Sequence, residues 1–387
     1  MTIASPKHNT QVLDDLFPLG SRVLLTGTGR QFIERLGVEA VRSVVLGVLM
    51  GENIRTQTEP LTRQRIAQLS GAVVALFAQG WLSNPNFTND LSAIALQQLG
   101  SRKKKDQASK WLANWMLGLT SKSVQNVLRS KPGQVGNYIT DFEKAVAQAA
   151  EKCRIDLGDL RVTLGYTEDP VGRRVELEWQ DVIRLTTAIG SLTLTIRGSD
   201  KSMFGKLFER LILGSFLTIL GFERVDPTTN TKTANIFWLS DQSDLRESDA
   251  TLLVRPGKVA RFDIGFIGSG NSEISKDKLS RYARKLETAG VSHSSTTFII
   301  VDRLPKTLKT QQAAEEIGAE IIQMSMQHWP RELAIKLGER FSFIHPLQTM
   351  PDDQIRSYLQ SQLAPIRIQD FLNTLTLPEL STETNED

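Results

Sequence analysis

Apolar residues between Gln31 and Met50 recur at helical spacing, with Phe32, Leu36, Val41, Val44, Val45 and Val48 on one stripe. Pro60 punctuates, and a second helix is predicted from about Thr62, a candidate N-cap, to Trp81. Ser83-Asn84-Pro85-Asn86 reads as a turn, and Asn89 or Asp90 opens a helix reaching about Leu99. A basic helix follows, from the Lys103–Asp106 stretch to Leu117, and further helices fit Ser121–Arg129 and Asn137–Arg154. Between Leu160 and Leu194 the pattern alternates, with Val175, Leu177 and Trp179 on one side, which predicts short strands.

The pattern changes after the polar, glycine-containing stretch Ile196–Ser202. Met203–Leu220 is a strongly amphipathic helix ended by Gly221. Strands are predicted at Ile236–Leu239, Asp249–Val254 and Val259–Ile267, the last two joined by the turn Arg255-Pro256-Gly257-Lys258. Ser272 caps a helix over Glu273–Thr288, with Glu273 complementing the helix dipole. Strand Thr296–Val301, helix Leu308–Ile317, strand Glu320–Met324 and helix Trp329–Gly338 complete the order α-β-β-β-α-β-α-β-α. The expected fold class is α/β: a mainly helical region over 1–195, a mixed-sheet core over 200–345, and a C-terminal extension over 346–387 with an acidic disordered tail.

Composition narrows the chemistry. No apolar run approaches the ~20 residues of a membrane span, so no membrane is expected and the chain reads as cytoplasmic. A single cysteine, Cys153, excludes a disulfide framework and a cysteine zinc cage. The four histidines lie far apart, so any metal should be a hard, oxygen-bound one. Net charge is +3, divided as +5 over residues 1–200 and −2 over 201–387, which is compatible with a polyanionic partner.

The chemistry-bearing stretch is the hairpin from Ser248 to Gly265. A turn centred on Pro256-Gly257 pairs residues whose numbers sum to 512 or 513, so Asp249 faces position 263 or 264. Asp249 and Asp263 are then cross-strand neighbours, about 5–6 Å apart at Cβ if they share a face. Carboxylates that close repel unless a cation lies between them, and Mg²⁺ needs only one or two of them. The plain alternative is a pair of solvated strand ends. Glu209 on the preceding helix and Lys276 and Lys278 on the following one flank the pair.

In this order the segments resemble the PD-(D/E)XK nuclease core. Gly205-Lys206-Leu207-Phe208-Glu209 through Leu220-Gly221-Phe222 resembles its first helix, and Asp249 its first catalytic acid. Asp263-Ile264-Gly265 resembles the D/E-X-K triplet, with glycine where lysine belongs. Either the following helix supplies the lysine, from Lys276 or Lys278, or the site is dead. The phrase Asp263-Ile264-Gly265-Phe266-Ile267-Gly268-x-Gly270-Asn271-x-Glu273-Ile274-x-x-Asp277-Lys278 resembles type II restriction endonucleases of the CfrBI-like group. The stretch Leu24–Arg65 extends that likeness.

The resemblance implies Mg²⁺-dependent hydrolysis of a phosphodiester in double-stranded DNA. Asp249 and Asp263 would hold the metal, Glu209 would assist as a further ligand or through a water, and Lys278 or Lys276 would orient the attacking water. It also implies a homodimer cutting both strands, and a cognate DNA methyltransferase that is not a stable subunit. Arg102, Lys103, Lys104 and Lys105 form a basic run suited to DNA phosphate, while nearby Trp111 and Trp115, four apart, read as core. Candidate base readers in the first half include Arg63, Gln64, Arg65, Gln97 and Gln98. The competing readings are a non-catalytic DNA-binding protein on the same fold, a repair or junction nuclease, and a helical interaction protein.

Overall fold

A computed structural model of the chain describes residues 12–84, 86–100, 107–120, 134–156, 166–168, 171–229, 231–240, 248–266, 295–302, 319–326, 328–373 and 375–377. In chain order the helices are α1 (Leu13–Leu16), α2 (Leu19–Thr26), α3 (Gly29–Leu36), α4 (Val38–Leu49), α5 (Ile54–Ser83), α6 (Phe87–Gly100), α7 (Gln107–Met116) and α8 (Gln134–Asp156). A two-stranded hairpin, β1 (Tyr166–Glu168) with β2 (Arg174–Glu176), precedes the long helix α9 (Trp179–Ile219). Then come β3 (Glu223–Arg224), β4 (Ile236–Leu239), β5 (Ala250–Arg255), β6 (Lys258–Gly265), β7 (Ser295–Val301), β8 (Ala319–Gln323), α10 (Trp329–Phe341) and α11 (Asp352–Leu363), with 3₁₀ turns at Pro346–Gln348 and Ile368–Leu372. The chain divides into two compact units. One takes the residues up to Gly27 together with Thr62–Asp200, and the other takes Thr28–Leu61 and everything from Lys201. The stretch Thr28–Leu61, predicted with the N-terminal region, therefore belongs with the sheet.

The first unit is helical and has an aromatic core. Trp111 and Trp115 are both buried, as expected, and the Trp115 indole donates to Thr195 Oγ1 at 3.1 Å. Arg65 is fully buried, paired with Asp200 and donating to the Leu24 carbonyl. That removes Arg65 from the candidate base readers. Gln98 is also buried, its amide donating to the Ser109 carbonyl. Arg63, Gln64 and Gln97 remain exposed. By length and composition α5 could cross a bilayer, but Leu69, Val73, Leu76 and Phe77 are buried within the unit.

The second unit is a six-stranded mixed sheet in the order β3-β4-β5-β6-β7-β8. Strands β4, β5 and β6 form an antiparallel meander, and β6, β7 and β8 run parallel. This mixed α/β arrangement agrees with the restriction-endonuclease-like fold expected above. Phe262, Ile264, Phe298, Ile300 and Ile322 form one buried layer of the sheet. The second half of α9 is buried through Leu207, Phe208, Leu211, Ile212 and Phe216.

Three predicted elements need correction. Pro60 does not end a helix: α5 runs through it, although a proline there removes one backbone hydrogen bond and crowds the carbonyl of Thr56. From Trp179 the alternating reading fails, because α9 is helical. Its buried positions Arg184, Ala188, Leu192, Ile196 and Asp200 are four apart, and its threonines return their hydroxyls to carbonyls four residues back, as Thr187 does to Ile183 at 2.7 Å. The boundary stretch Ile196–Ser202 accordingly lies inside a helix. The C-terminal extension is part of the fold up to Leu377. Ile355, Leu359, Leu363, Ile368 and Leu372 are buried, and Thr376 bridges to Thr28, the N-cap of α3. The acidic tail beyond it, the helices expected at Ser121–Arg129, Glu273–Thr288 and Leu308–Ile317, and the start of the basic helix fall outside the described residues.

Candidate active site

The site is assembled from the end of α9 and the meander. Gly221, at φ +88°, lets α9 stop in a left-handed turn. The Phe222 N–H returns to Leu217 O at 3.1 Å and the Gly221 N–H to Thr218 O at 2.9 Å, which satisfies the last carbonyls. One helical face then presents Arg210, which is buried. Its Nη1 donates to Ser240 O at 2.7 Å and its Nε to Phe371 O at 3.1 Å. Ser240 in turn holds the start of β5: its N–H donates to Asp249 O at 3.2 Å and its hydroxyl to Ser248 O. A buried guanidinium thus ties the helix to the strand end that carries Asp249.

The hairpin register is Ala250 opposite Phe262 and Thr251 opposite Arg261, with Gly257 at φ +74° completing the turn after Pro256. Asp249 lies one residue before Ala250 and Asp263 one after Phe262, so this register continued by one step would bring them opposite each other, at the lower of the two sums expected. Ala250, Leu252, Ala260, Phe262 and Ile264 point to the buried face. Asp249, Thr251, Leu253, Arg261 and Asp263 fall on the other, and both aspartates are half-buried. The Ile264 N–H donates to Asp249 Oδ2 at 2.7 Å, fixing that carboxylate against β6. The pair lies at the carboxyl edge of β6, β7 and β8, the edge at which parallel strands commonly present ligand-binding groups.

The remaining predicted residues are distributed less compactly. Glu209 is half-buried on α9, one residue before Arg210. Among the described residues no group of three acidic, histidine or cysteine side chains is placed to hold a metal ion. Gly265 is buried at the end of β6, and its carbonyl accepts the Asp302 N–H at 3.3 Å. Lys276, Lys278 and Glu273, and the basic run Arg102, Lys103, Lys104 and Lys105, lie outside the described residues. Sequence reasoning missed Asp302, which is nearly buried just after β7 and accepts from Asn53 Nδ2 at 3.3 Å. By strand alternation it falls on the face opposite the aspartate pair. Its only sequence signal is an acid ending a buried strand.

The chemistry of the pair fits a hard divalent cation. Two carboxylates on neighbouring strands supply as many protein ligands as Mg²⁺ ordinarily takes, and partial exposure leaves access for the waters that complete its shell.

The model of the CfrBI restriction endonuclease family matches residues 38–309. The type II restriction enzyme CfrBI of Citrobacter freundii is 33% identical over 347 residues, covering 88% of this chain and 93% of that enzyme. No solved structure matches. With the family model spanning most of the chain, the meander and the aspartate pair included, the protein belongs to the CfrBI restriction endonuclease family.

Proposed function

We propose that the protein cuts both strands of double-stranded DNA at a specific sequence, by Mg²⁺-dependent hydrolysis at the Asp249–Asp263 pair. The observation that supports this reading is the hairpin register, which continued by one residue beyond Ala250–Phe262 brings two half-buried carboxylates opposite each other. Asp249, held by the Ile264 N–H, and Asp263 would bind the ion. The chemistry Mg²⁺ supplies in such a place is acidification of a water and neutralisation of charge at phosphorus. An ammonium group is still needed to orient the attacking water and offset the developing charge. Gly265 leaves it to Lys278 or Lys276, and Glu209 would assist as a further ligand or through a metal-bound water. The basic run Arg102–Lys105 would add phosphate contacts that strengthen binding without reading bases.

A palindromic site would require a two-fold homodimer, one active centre per strand. The same logic makes a separate methyltransferase the expected protector of host DNA, and the cytoplasm the expected compartment. Gly265 favours one second reading, a DNA-binding protein that no longer cuts.

Incubation of plasmid DNA with Mg²⁺ separates the two. Discrete fragments are expected from the wild-type protein. Asp249→Ala and Asp263→Ala should each cut about 10³-fold more slowly or worse, while still retaining DNA in Ca²⁺. Cleavage by both variants at the wild-type rate would remove the proposal. DNA retention without cleavage by any of the three would establish the second reading. The same assay assigns the lysine: whichever of Lys276→Ala and Lys278→Ala loses cleavage while keeping DNA retention is the catalytic one.

A further inference from the structure

We infer that the β5–β6 hairpin is a phosphate-binding arm that carries the cut DNA strand to the aspartate pair, with Arg261 nearest the reaction. This deepens the nuclease reading and rests on it. From Ala250 to Phe262 the chain contains no acidic residue and carries three cations, Arg255, Lys258 and Arg261. Arg255 and Arg261 are exposed, and Lys258 is half-buried. None of the three makes an ion pair or side-chain hydrogen bond among the described residues. That sets them apart within their unit, where Arg30, Arg42, Lys232, Arg331, Lys336 and Arg340 are all paired with carboxylates. The other unpaired cations described there, Arg35, Arg55 and Lys206, are scattered over three separate helices.

Position gives the arm its direction. Arg261 precedes Asp263 by two residues on the same strand and falls on the same face. Residues two apart on a strand are separated by about 6.6–7 Å, close to the spacing of successive phosphates along one DNA strand. Arg255 and Lys258 lie opposite each other at the hairpin tip, several residues further from the acids. Cations at both places can therefore contact different phosphates of one strand whose scissile group lies at Asp249 and Asp263. A guanidinium suits this role, since its planar fork holds phosphate oxygens in two directions and stays charged at any working pH. The half-buried acids bear negative charge against a polyanion, and an acid-free cationic strip beside them offsets that repulsion until an ion is bound.

The test measures binding of a fluorescent 30-base-pair duplex in Ca²⁺ across a salt series, for wild type, Arg261→Ala, Arg261→Lys and the Arg255→Ala/Lys258→Ala double variant. Each lost phosphate contact should lower the slope of log affinity against log salt by about 1, so Arg261→Ala should lose about 1 and the double variant about 2. Arg261→Lys should restore most of the slope, a rescue that a folding defect would not give. Slopes unchanged in both Arg261→Ala and the double variant would overturn the arm. Asp249→Ala, scored for plasmid cleavage in Mg²⁺, keeps the two ideas apart. Lost cleavage with unchanged hairpin slopes leaves the nuclease reading standing and the arm refuted. Retained cleavage with reduced hairpin slopes refutes the aspartate pair and leaves the hairpin as a DNA contact.

Discussion

Asp249 is held by its backbone and its side chain at once: the carbonyl accepts from Ser240 and the carboxylate from the Ile264 N–H. The hairpin itself was legible because Pro256-Gly257 marks where the chain turns, but its register shifts by one between Leu253 and Arg255, so the turn alone left two pairings open. The ammonium group was not legible, since Gly265 interrupts the triplet that would have named it. His345 was also missed. It lies beside Phe343 and Tyr358, with Nδ1 accepting from the Leu347 N–H and Nε2 against the Ile219 carbonyl, which fixes the neutral, Nε2-protonated ring. Burial holds its pKa below the usual histidine range, and the bond to Ile219 opposes that only in part. A depressed histidine pKa means the unfolded chain takes up the proton first. The stability it contributes is whole above about pH 6.5 and is lost as pH falls through the folded value. Urea midpoints should therefore drop between neutral and mildly acid pH, and drop less in His345→Gln.

At the scale of elements, the second half of α9 was read as a helix, but its first half misled. Thr186, Thr187, Thr193 and Thr195 look like strand residues, yet each hydroxyl accommodates to the helix by bonding a carbonyl four residues back. Polarity periodicity also hid α11, although Ile355, Leu359 and Leu363 recur every four residues. The meander was read correctly because alternation and a strong turn agreed. Gly214 gives a test of the helix packing. An alanine there would gain up to about 1 kcal/mol of helix propensity, but its Cβ would meet the Phe371 ring at 2.8 Å. Phe371 cannot easily retreat, because its carbonyl binds buried Arg210. Gly214→Ala should therefore destabilise, by about 1–2 kcal/mol in a urea titration, overpacking outweighing propensity. Gly221→Ala should cost about 1 kcal/mol in the same measurement, since only glycine enters the left-handed turn cheaply.

For the molecule as a whole, family membership and the α/β class were readable from the order of elements along the second half. The division near residue 200 falls within the predicted boundary, but the place of Thr28–Leu61 was not readable, because that stretch joins the sheet across a long sequence separation through contacts such as Trp329 Nε1 to Val48 O at 2.8 Å. Nothing local in residues 28–61 encodes that partner. Sedimentation should find a dimer if both strands are cut in one binding event. Manganese titration followed by the resonance of the free ion, with duplex present, tests the account most directly. Wild type should take up Mn²⁺ in a step that Asp249→Ala and Asp263→Ala each abolish. The same uptake by wild type and both variants would mean that these aspartates do not hold the metal.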